Sequence, residues 1–98
     1  MLSMNKEAIL NYLHIHKLEY EKHFGVKKIG LFGSYARDEA NENSDIDLVV
    51  EMHPKSLQKR LMLKRKIEED LKSSVDIGYL SSLRHFIVNE IKKDIIYI

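Results

Sequence analysis

The pattern of hydrophobic and polar residues divides the chain into helices and short strands. Apolar residues recur every three or four positions from about Ser3 to Tyr20, which predicts an amphipathic helix. Ser3 or Asn5 is suited to cap its first turn. Gly25, after Phe24, is suited to stop it in a left-handed conformation. The apolar face of this helix is predicted to consist of Ile9, Tyr12, Leu13 and His16.

Three short runs rich in apolar and β-branched residues predict strands. They are Val26 to Phe32, Asp45 to Met52 and Ser74 to Tyr79. The second is the strongest prediction, because DIDLVVEM ends in an apolar β-branched core. Between the first two runs, residues 34–39 predict a helical turn and residues 41–44 a polar loop.

Two further helices are predicted in the second half of the chain. One runs from Ser56, its N-cap, to about Leu71. The other begins at Ser81 or Ser82 and runs to about Lys92, and the apolar tail DIIYI is expected to dock on the body of the protein. The buried face of the first of these helices is assigned to Leu57, Leu61 and Leu71, widened by Met62, Leu63 and Ile67.

Helices therefore alternate with strands, which indicates an α/β (α+β) fold with a small mixed sheet. Residues 1–98 are expected to form a single domain, because a chain of 98 residues supports one core and little more. The pattern leaves open whether the second and third strands run parallel or antiparallel.

Composition narrows the classes of function. Lys and Arg number 16 against 15 Asp and Glu, so the formal net charge of +1 provides no bulk attraction to nucleic acid or to an anionic membrane. No segment approaches the ~20 apolar residues that span a bilayer. The absence of cysteine excludes disulfides and thiolate metal sites and suits a cytoplasmic protein.

Three aspartates interrupt the predicted strands. Asp45 and Asp47 are two residues apart, so an extended backbone directs both side chains to the same face. Two carboxylates so close repel each other unless a cation lies between them. Mg²⁺ prefers oxygen ligands of this kind, together with substrate phosphates. Asp76, in the third strand, is a candidate to join them, and three carboxylates can bridge two metal ions.

A structural interpretation competes with the metal site. Asp45 alone is well explained as a turn residue at the end of a loop. That explanation does not extend to Asp47, inside the apolar run IDLVV, or to Asp76, inside VDI. The three residues together favour the metal site.

Gly33-Ser34 follows the first strand and opens a helical turn. Glycine permits close approach of a ligand to the backbone, and the first amides of a helix are unpaired, so the turn is a candidate anion site. Arg37, one turn later, is placed to reach the same phosphate. Taken alone, the pair is better explained as a connecting turn in which Ser34 is the N-cap.

The combination of Gly33-Ser34, ten residues, and then Asp45-Ile46-Asp47 resembles the signature of the polymerase-β-type nucleotidyltransferase superfamily. The stretch GSYARDEANENSDIDLVV is similar to that of the minimal nucleotidyltransferases, or MNT proteins, and the resemblance extends over nearly the whole chain. It implies the nucleotidyltransferase fold, with a short mixed sheet and helices packed mainly on one face.

The resemblance also implies roles for the candidate residues. Asp45 and Asp47 would hold Mg²⁺ on the triphosphate of ATP, and Asp76 would complete a second metal position and help to deprotonate the attacking hydroxyl. Gly33 and Ser34 would grip the β- and γ-phosphates, assisted by Arg37. The reaction would transfer AMP to an acceptor and release pyrophosphate.

The acceptor is implied by the resemblance alone. MNT proteins are typically paired with a HEPN-domain toxin, and the expected function is that of an antitoxin which adenylylates a tyrosine of that toxin. One alternative is an antitoxin that blocks its partner by binding only. Another is a transferase acting on a small molecule or nucleic acid, which a chain this short disfavours. The apolar tail is compatible with a homodimer but does not require one.

Overall fold

The structure, a computed structural model, describes residues 4–82 and 92–98. Within these ranges, no helix is long and apolar enough to cross a membrane. The helices in the described residues are α1 (Lys6–Phe24), α2 (Gly33–Ala36) and α3 (Leu57–Leu71), followed by a 3₁₀ turn at Leu80–Ser82. The strands are β1 (Val26–Phe32), β2 (Ile46–Met52), β3 (Val75–Tyr79) and β4 (Ile96–Tyr97). The helix predicted to begin at Ser81 or Ser82 lies mostly outside the described residues.

The first helix begins and ends at residues suited to those positions. Asn5, rather than Ser3, is the N-cap, and its Oδ1 accepts a hydrogen bond of 2.8 Å from the Ala8 N–H. Gly25 adopts a left-handed conformation with φ of 70° and ends the helix, as predicted. The last helical residue is Phe24, which agrees with the predicted stop at Phe24-Gly25 and lies four residues beyond the periodic stretch that ended at about Tyr20.

The four strands form one mixed sheet in the order β3-β2-β1-β4. β1 pairs antiparallel with both β2 and β4, whereas β2 and β3 are parallel. The parallel pair is joined through α3, because parallel strands require a long crossover. The apolar tail docks as predicted, as β4, and the Ile98 N–H donates a hydrogen bond of 3.0 Å to the Ile29 carbonyl.

Helices α1 and α3 cover one face of the sheet with a single hydrophobic core. The buried stripe of α3 consists of Leu63 and Ile67, with Leu71 partly buried beside it. The predicted face of α3 was therefore wrong for Leu57, Leu61 and Met62, each of which is more than half exposed. Successive helical residues turn by ~100°, so Leu61 points roughly 160° away from Leu63 around the helix axis.

Candidate active site

Three chain segments meet at one end of the sheet. β1 ends there at Phe32, and β2 and β3 both begin there, since β1 and β2 are antiparallel and β2 and β3 are parallel. Asp47 lies opposite Phe32 on one side and opposite Asp76 on the other. The register of β2 with β3 therefore brings together two of the three aspartates that the sequence singled out. Asp45 precedes the first residue of β2 and lies at the same end.

Asp47 is the central member of this group. It is half-buried, whereas Asp45 and Asp76 are exposed. Burial raises the pKa of the Asp47 carboxyl, and the negative charges of Asp76 and Asp45 raise that pKa further. The positive charge of Arg37 acts in the opposite direction. The site therefore holds a carboxylate whose ionised form is disfavoured by its surroundings.

Gly33 determines how closely the turn after β1 approaches that carboxylate. Its φ is 76°, a left-handed conformation that glycine adopts without the steric cost of a side chain. A Cβ atom at this position would lie 3.0 Å from the Asp47 Cγ and closer still to its Oδ2. Gly33 is thus needed both for the backbone conformation and for the space that the Asp47 carboxylate occupies. The sequence indicated the first requirement, but the second depends on contact across the sheet.

Ser34 and Arg37 belong to the short turn that follows. Ser34 lies within α2, and Arg37 is the residue at which this turn ends. The Arg37 guanidinium is exposed and lies 3.3 Å from Glu39 Oε1 and 3.5 Å from Asp94 Oδ2. These two contacts hold Arg37 at the rim of the site. Sequence reasoning missed Asp94, because nothing in its local pattern links it to a residue 57 positions away.

The donor set can be compared with the needs of a metal ion. Throughout residues 4–82 and 92–98, no three Asp, Glu or His side chains are gathered tightly enough to form a ready-made metal site. Asp47 and its register partner Asp76 nevertheless offer hard oxygen donors that repel each other. Mg²⁺ is commonly held by one or two carboxylates completed by substrate phosphates. The residues therefore fit a cation that arrives with a phosphorylated substrate.

Comparison with known proteins agrees with this geometry. The family model of the nucleotidyltransferase domain matches residues 13–98. The protein adenylyltransferase MntA of Thermococcus cleftensis is 37% identical over 99 residues, covering 100% of each chain. The chain therefore belongs to the nucleotidyltransferase domain family.

Solved structures place the chain more narrowly. A protein provisionally identified as a minimal nucleotidyltransferase superposes with a TM-score of 0.81 at 28% identity, covering 98% of both chains. A second match is to a complex of a tri-AMPylated Shewanella oneidensis HEPN toxin with an MNT antitoxin. Its TM-score is 0.63 at 27% identity, covering 91% of this chain and 69% of that one. The predicted nucleotidyltransferase fold and the assignment to the minimal, adenylyl-transferring type are confirmed.

Proposed function

We propose that this protein transfers AMP from ATP to a tyrosine of a partner HEPN toxin, with Mg²⁺ as cofactor, and thereby acts as the antitoxin. The observation that carries the proposal is the packing of the Gly33 turn against Asp47, with Asp76 in register beside it. That arrangement offers a phosphate-binding turn and paired carboxylates at one point. We place the reaction in the cytoplasm, which the cysteine-free composition suits.

Each candidate residue has a role in binding ATP. Gly33 and Ser34 present the backbone and hydroxyl donors of the turn to the β- and γ-phosphates. Asp45 and Asp47 would hold Mg²⁺ against the triphosphate, and Asp76 would complete a second metal position. When bound, the metal would offset the repulsion among the carboxylates and draw negative charge from the transferred phosphate. Arg37 assists from the rim, where Glu39 and Asp94 now hold its guanidinium.

The reaction is an in-line displacement at the α-phosphorus of ATP. The acceptor hydroxyl oxygen forms a bond to that phosphorus, and the bond to the oxygen bridging the α- and β-phosphates breaks. Pyrophosphate leaves, and AMP remains on the acceptor. Asp76 takes part in removing the hydroxyl proton, since its exposed carboxylate lies beside Asp47 at the edge strand, open to an incoming side chain.

The acceptor is proposed from the relatives. MntA of T. cleftensis is named a protein adenylyltransferase, and the Shewanella complex contains an AMPylated HEPN toxin bound to an MNT antitoxin. A chain of 98 residues leaves little room for a separate acceptor-binding domain, which also suits a protein substrate, because the partner would supply the missing wall of the site.

The test is transfer of label from α-³²P-ATP, in the presence of Mg²⁺, to the protein encoded by the neighbouring gene, which the proposal identifies as a HEPN toxin. We expect the partner to become labelled on tyrosine, as read by mass spectrometry. The double variant Asp45→Asn/Asp47→Asn should abolish labelling. The control variant Glu21→Gln/Glu69→Gln removes the same charge from exposed helix positions and should label normally.

Two results would overturn parts of the proposal. Normal labelling by the Asp45→Asn/Asp47→Asn variant would remove the metal assignment. Neutralisation of the toxin without labelling, by both the wild type and this variant, would replace catalysis with inhibition by binding alone.

A further inference from the structure

The outer edge of β3 is held by side chains of α3. β3 pairs with β2 along one edge, and no strand pairs with its other edge among residues 4–82 and 92–98. The backbone N–H and C=O groups of successive residues point to opposite edges of a strand. Those of Val75 and Ile77 therefore point away from β2, and those of Asp76 point toward β2. The two outward-facing residues are therefore the immediate neighbours of the Asp76 carboxylate.

Two residues of α3 contact those outward-facing groups. Glu68 Oε2 accepts a hydrogen bond of 3.0 Å from the Val75 N–H. Arg60 donates a hydrogen bond of 2.5 Å from its guanidinium to the Ile77 carbonyl. One contact lies on each side of Asp76, so the backbone segment that carries this aspartate is fixed from outside as well as by β2.

The spacing along α3 makes this arrangement possible. Arg60 and Glu68 are eight residues apart, about 12 Å along the axis of one helical face. Val75 and Ile77 are only about 6.6 Å apart along the strand. Arg60 and Glu68 are therefore farther apart than the two residues they contact, and their long side chains lean toward each other to reach the strand.

Both side chains are themselves held in place. Lys64, between them on the same helix face, lies 3.1 Å from Glu68 Oε2. The hydrogen bond from Val75 and the contact with Lys64 lower the pKa of Glu68, so that it stays an ionised acceptor. The Arg60 guanidinium carbon lies 4.8 Å from the centre of the Tyr79 ring. These contacts oppose rotation of either side chain away from the strand.

We propose that Arg60 and Glu68 are positioning residues for Asp76, which they fix by clamping the backbone on both sides of it. The proposal rests on the proposed function, in which Asp76 holds metal and receives a proton. An edge strand with one neighbour leaves its residues less constrained than a central strand. Partners that hydrogen-bond a metal ligand itself typically change metal affinity or activity by about 10- to 100-fold, and we expect the same range for contacts that fix the backbone beside the ligand.

The principal test compares Glu68→Ala and Arg60→Met with the wild type. We expect kcat for AMP transfer to fall about 10- to 100-fold. The Mg²⁺ concentration for half-maximal rate should rise, with little change in KM for the partner protein. Glu68→Gln, whose amide oxygen can still accept from the Val75 N–H, should restore most of the rate. Exchange of the amide hydrogens at residues 75–77 should be faster in Glu68→Ala than in Glu68→Gln.

Controls separate positioning from general loss of stability. Glu69→Ala and Arg65→Met change neighbouring exposed residues of the same helix and should behave as the wild type. Tyr12→Phe breaks a hydrogen bond between α1 and α3, and it should lower the unfolding temperature without changing the Mg²⁺ dependence. A Mg²⁺ dependence of Glu68→Ala equal to that of the wild type would overturn the proposal.

A readout without turnover distinguishes this proposal from the proposed function. Binding of Mn²⁺ together with a non-hydrolysable ATP analogue, measured by electron paramagnetic resonance without the partner protein, should weaken in Glu68→Ala and recover in Glu68→Gln. If the wild type labels no partner but this pattern of Mn²⁺ binding holds, the proposed acceptor is wrong and the positioning role stands. If the wild type labels its partner and the variants bind Mn²⁺ equally, the positioning role is wrong.

Discussion

Two aspartates of this molecule lie in surroundings that shift their pKa values in opposite directions. Asp47 lies at the meeting point of β1, β2 and β3, where burial and the charges of Asp76 and Asp45 raise its pKa. Asp70 lies at the junction of α1 and α3, where a hydrogen bond from Tyr12 lowers its pKa. The first environment disfavours the ionised group, and the second stabilises it. A carboxylate left in an unfavourable environment is the better candidate for function.

The helix junction shows what a satisfied polar cluster looks like in this protein. The Tyr12 hydroxyl contacts both Asp70 and the Tyr20 hydroxyl, and Lys66 lies 3.4 Å from Asp70. Burial is the main cause that raises the pKa of Tyr20 to about 12, so its hydroxyl stays protonated. These groups fix α1 against α3 and need no ligand to balance them.

The sharpest test of the comparison makes the same chemical change at both places. Asp47→Asn should reduce AMP transfer by at least ~100-fold, since loss of the proposed metal ligand itself should exceed the loss of an outer contact. The same variant should unfold at a higher temperature, because it removes a charge that its neighbours repel. Rates are measured by labelling, and unfolding by circular dichroism. Asp70→Asn should show the reverse: near-normal transfer and a lower unfolding temperature.

Gly33→Ala tests the close approach of the turn to Asp47. We expect a loss of about 1–2 kcal/mol in the free energy of unfolding from the left-handed backbone alone. Transfer should fall about 10- to 100-fold, because the new methyl displaces the Asp47 carboxylate. Gly78→Ala is the matched control for stability, since apart from its chain neighbours no atom of residues 4–82 and 92–98 lies within 4 Å of the added Cβ. Equal denaturation midpoints for the two variants would contradict the packing described.

Tyr12→Phe tests the satisfied cluster alone. Loss of a hydrogen bond to a charged acceptor should cost about 1.5 kcal/mol in urea unfolding. AMP transfer at a temperature where the variant is folded should be unchanged, because the Tyr12 hydroxyl bonds to Tyr20 and Asp70 and to none of the candidate site residues. A parallel loss of transfer would show that the helix junction contributes to the site.

The pH dependence of stability should also distinguish the two environments, and it is the smallest of the effects we expect. The pKa of Asp70 is lowered in the folded state, so its stabilisation is present above the unfolded pKa, near 4, and is lost as pH falls through the folded value. The pKa of Asp47 is raised, so its penalty develops as pH rises from about 4 through the folded value. The unfolding temperature of Asp47→Asn is expected to exceed that of the wild type at neutral pH. This gap should therefore narrow, by less than ~4 °C, when the pH is lowered to 4. A gap that widens on acidification would contradict the sign of the shift.

Much of the fold could be predicted from hydrophobic periodicity. β1 and β2 stand out because apolar runs end at a glycine or at a His-Pro pair, and Gly25 and Ser56 mark helix ends. The buried face of α3 could not be predicted in this way. Leu57 and Leu61 are spaced by four residues, as are Leu63 and Ile67, and only packing against the sheet selects the second pair.

The residues of the candidate site could be named from the sequence, but their geometry could not. The spacing of Asp45 and Asp47 indicated a shared face, and the resemblance to minimal nucleotidyltransferases supplied the proposed roles. Asp76 lies beside Asp47 because the α3 crossover makes β2 and β3 parallel. The spacing of hydrophobic residues does not determine the direction or the register of these two strands. The clamp of Arg60 and Glu68 on β3 depends on contacts between elements and has no local signature.

The proposed role of Asp47 requires that its charge is unfavourable until a metal-bound nucleotide arrives. The pKa of the Asp47 carboxyl can be measured directly by ¹³C NMR, with and without Mg²⁺ and a non-hydrolysable ATP analogue. We expect a pKa above the ordinary aspartate value of about 3.9 in the free protein, falling below that value in the complex. An ordinary pKa in the free protein, unchanged by Mg²⁺ and the analogue, would contradict it.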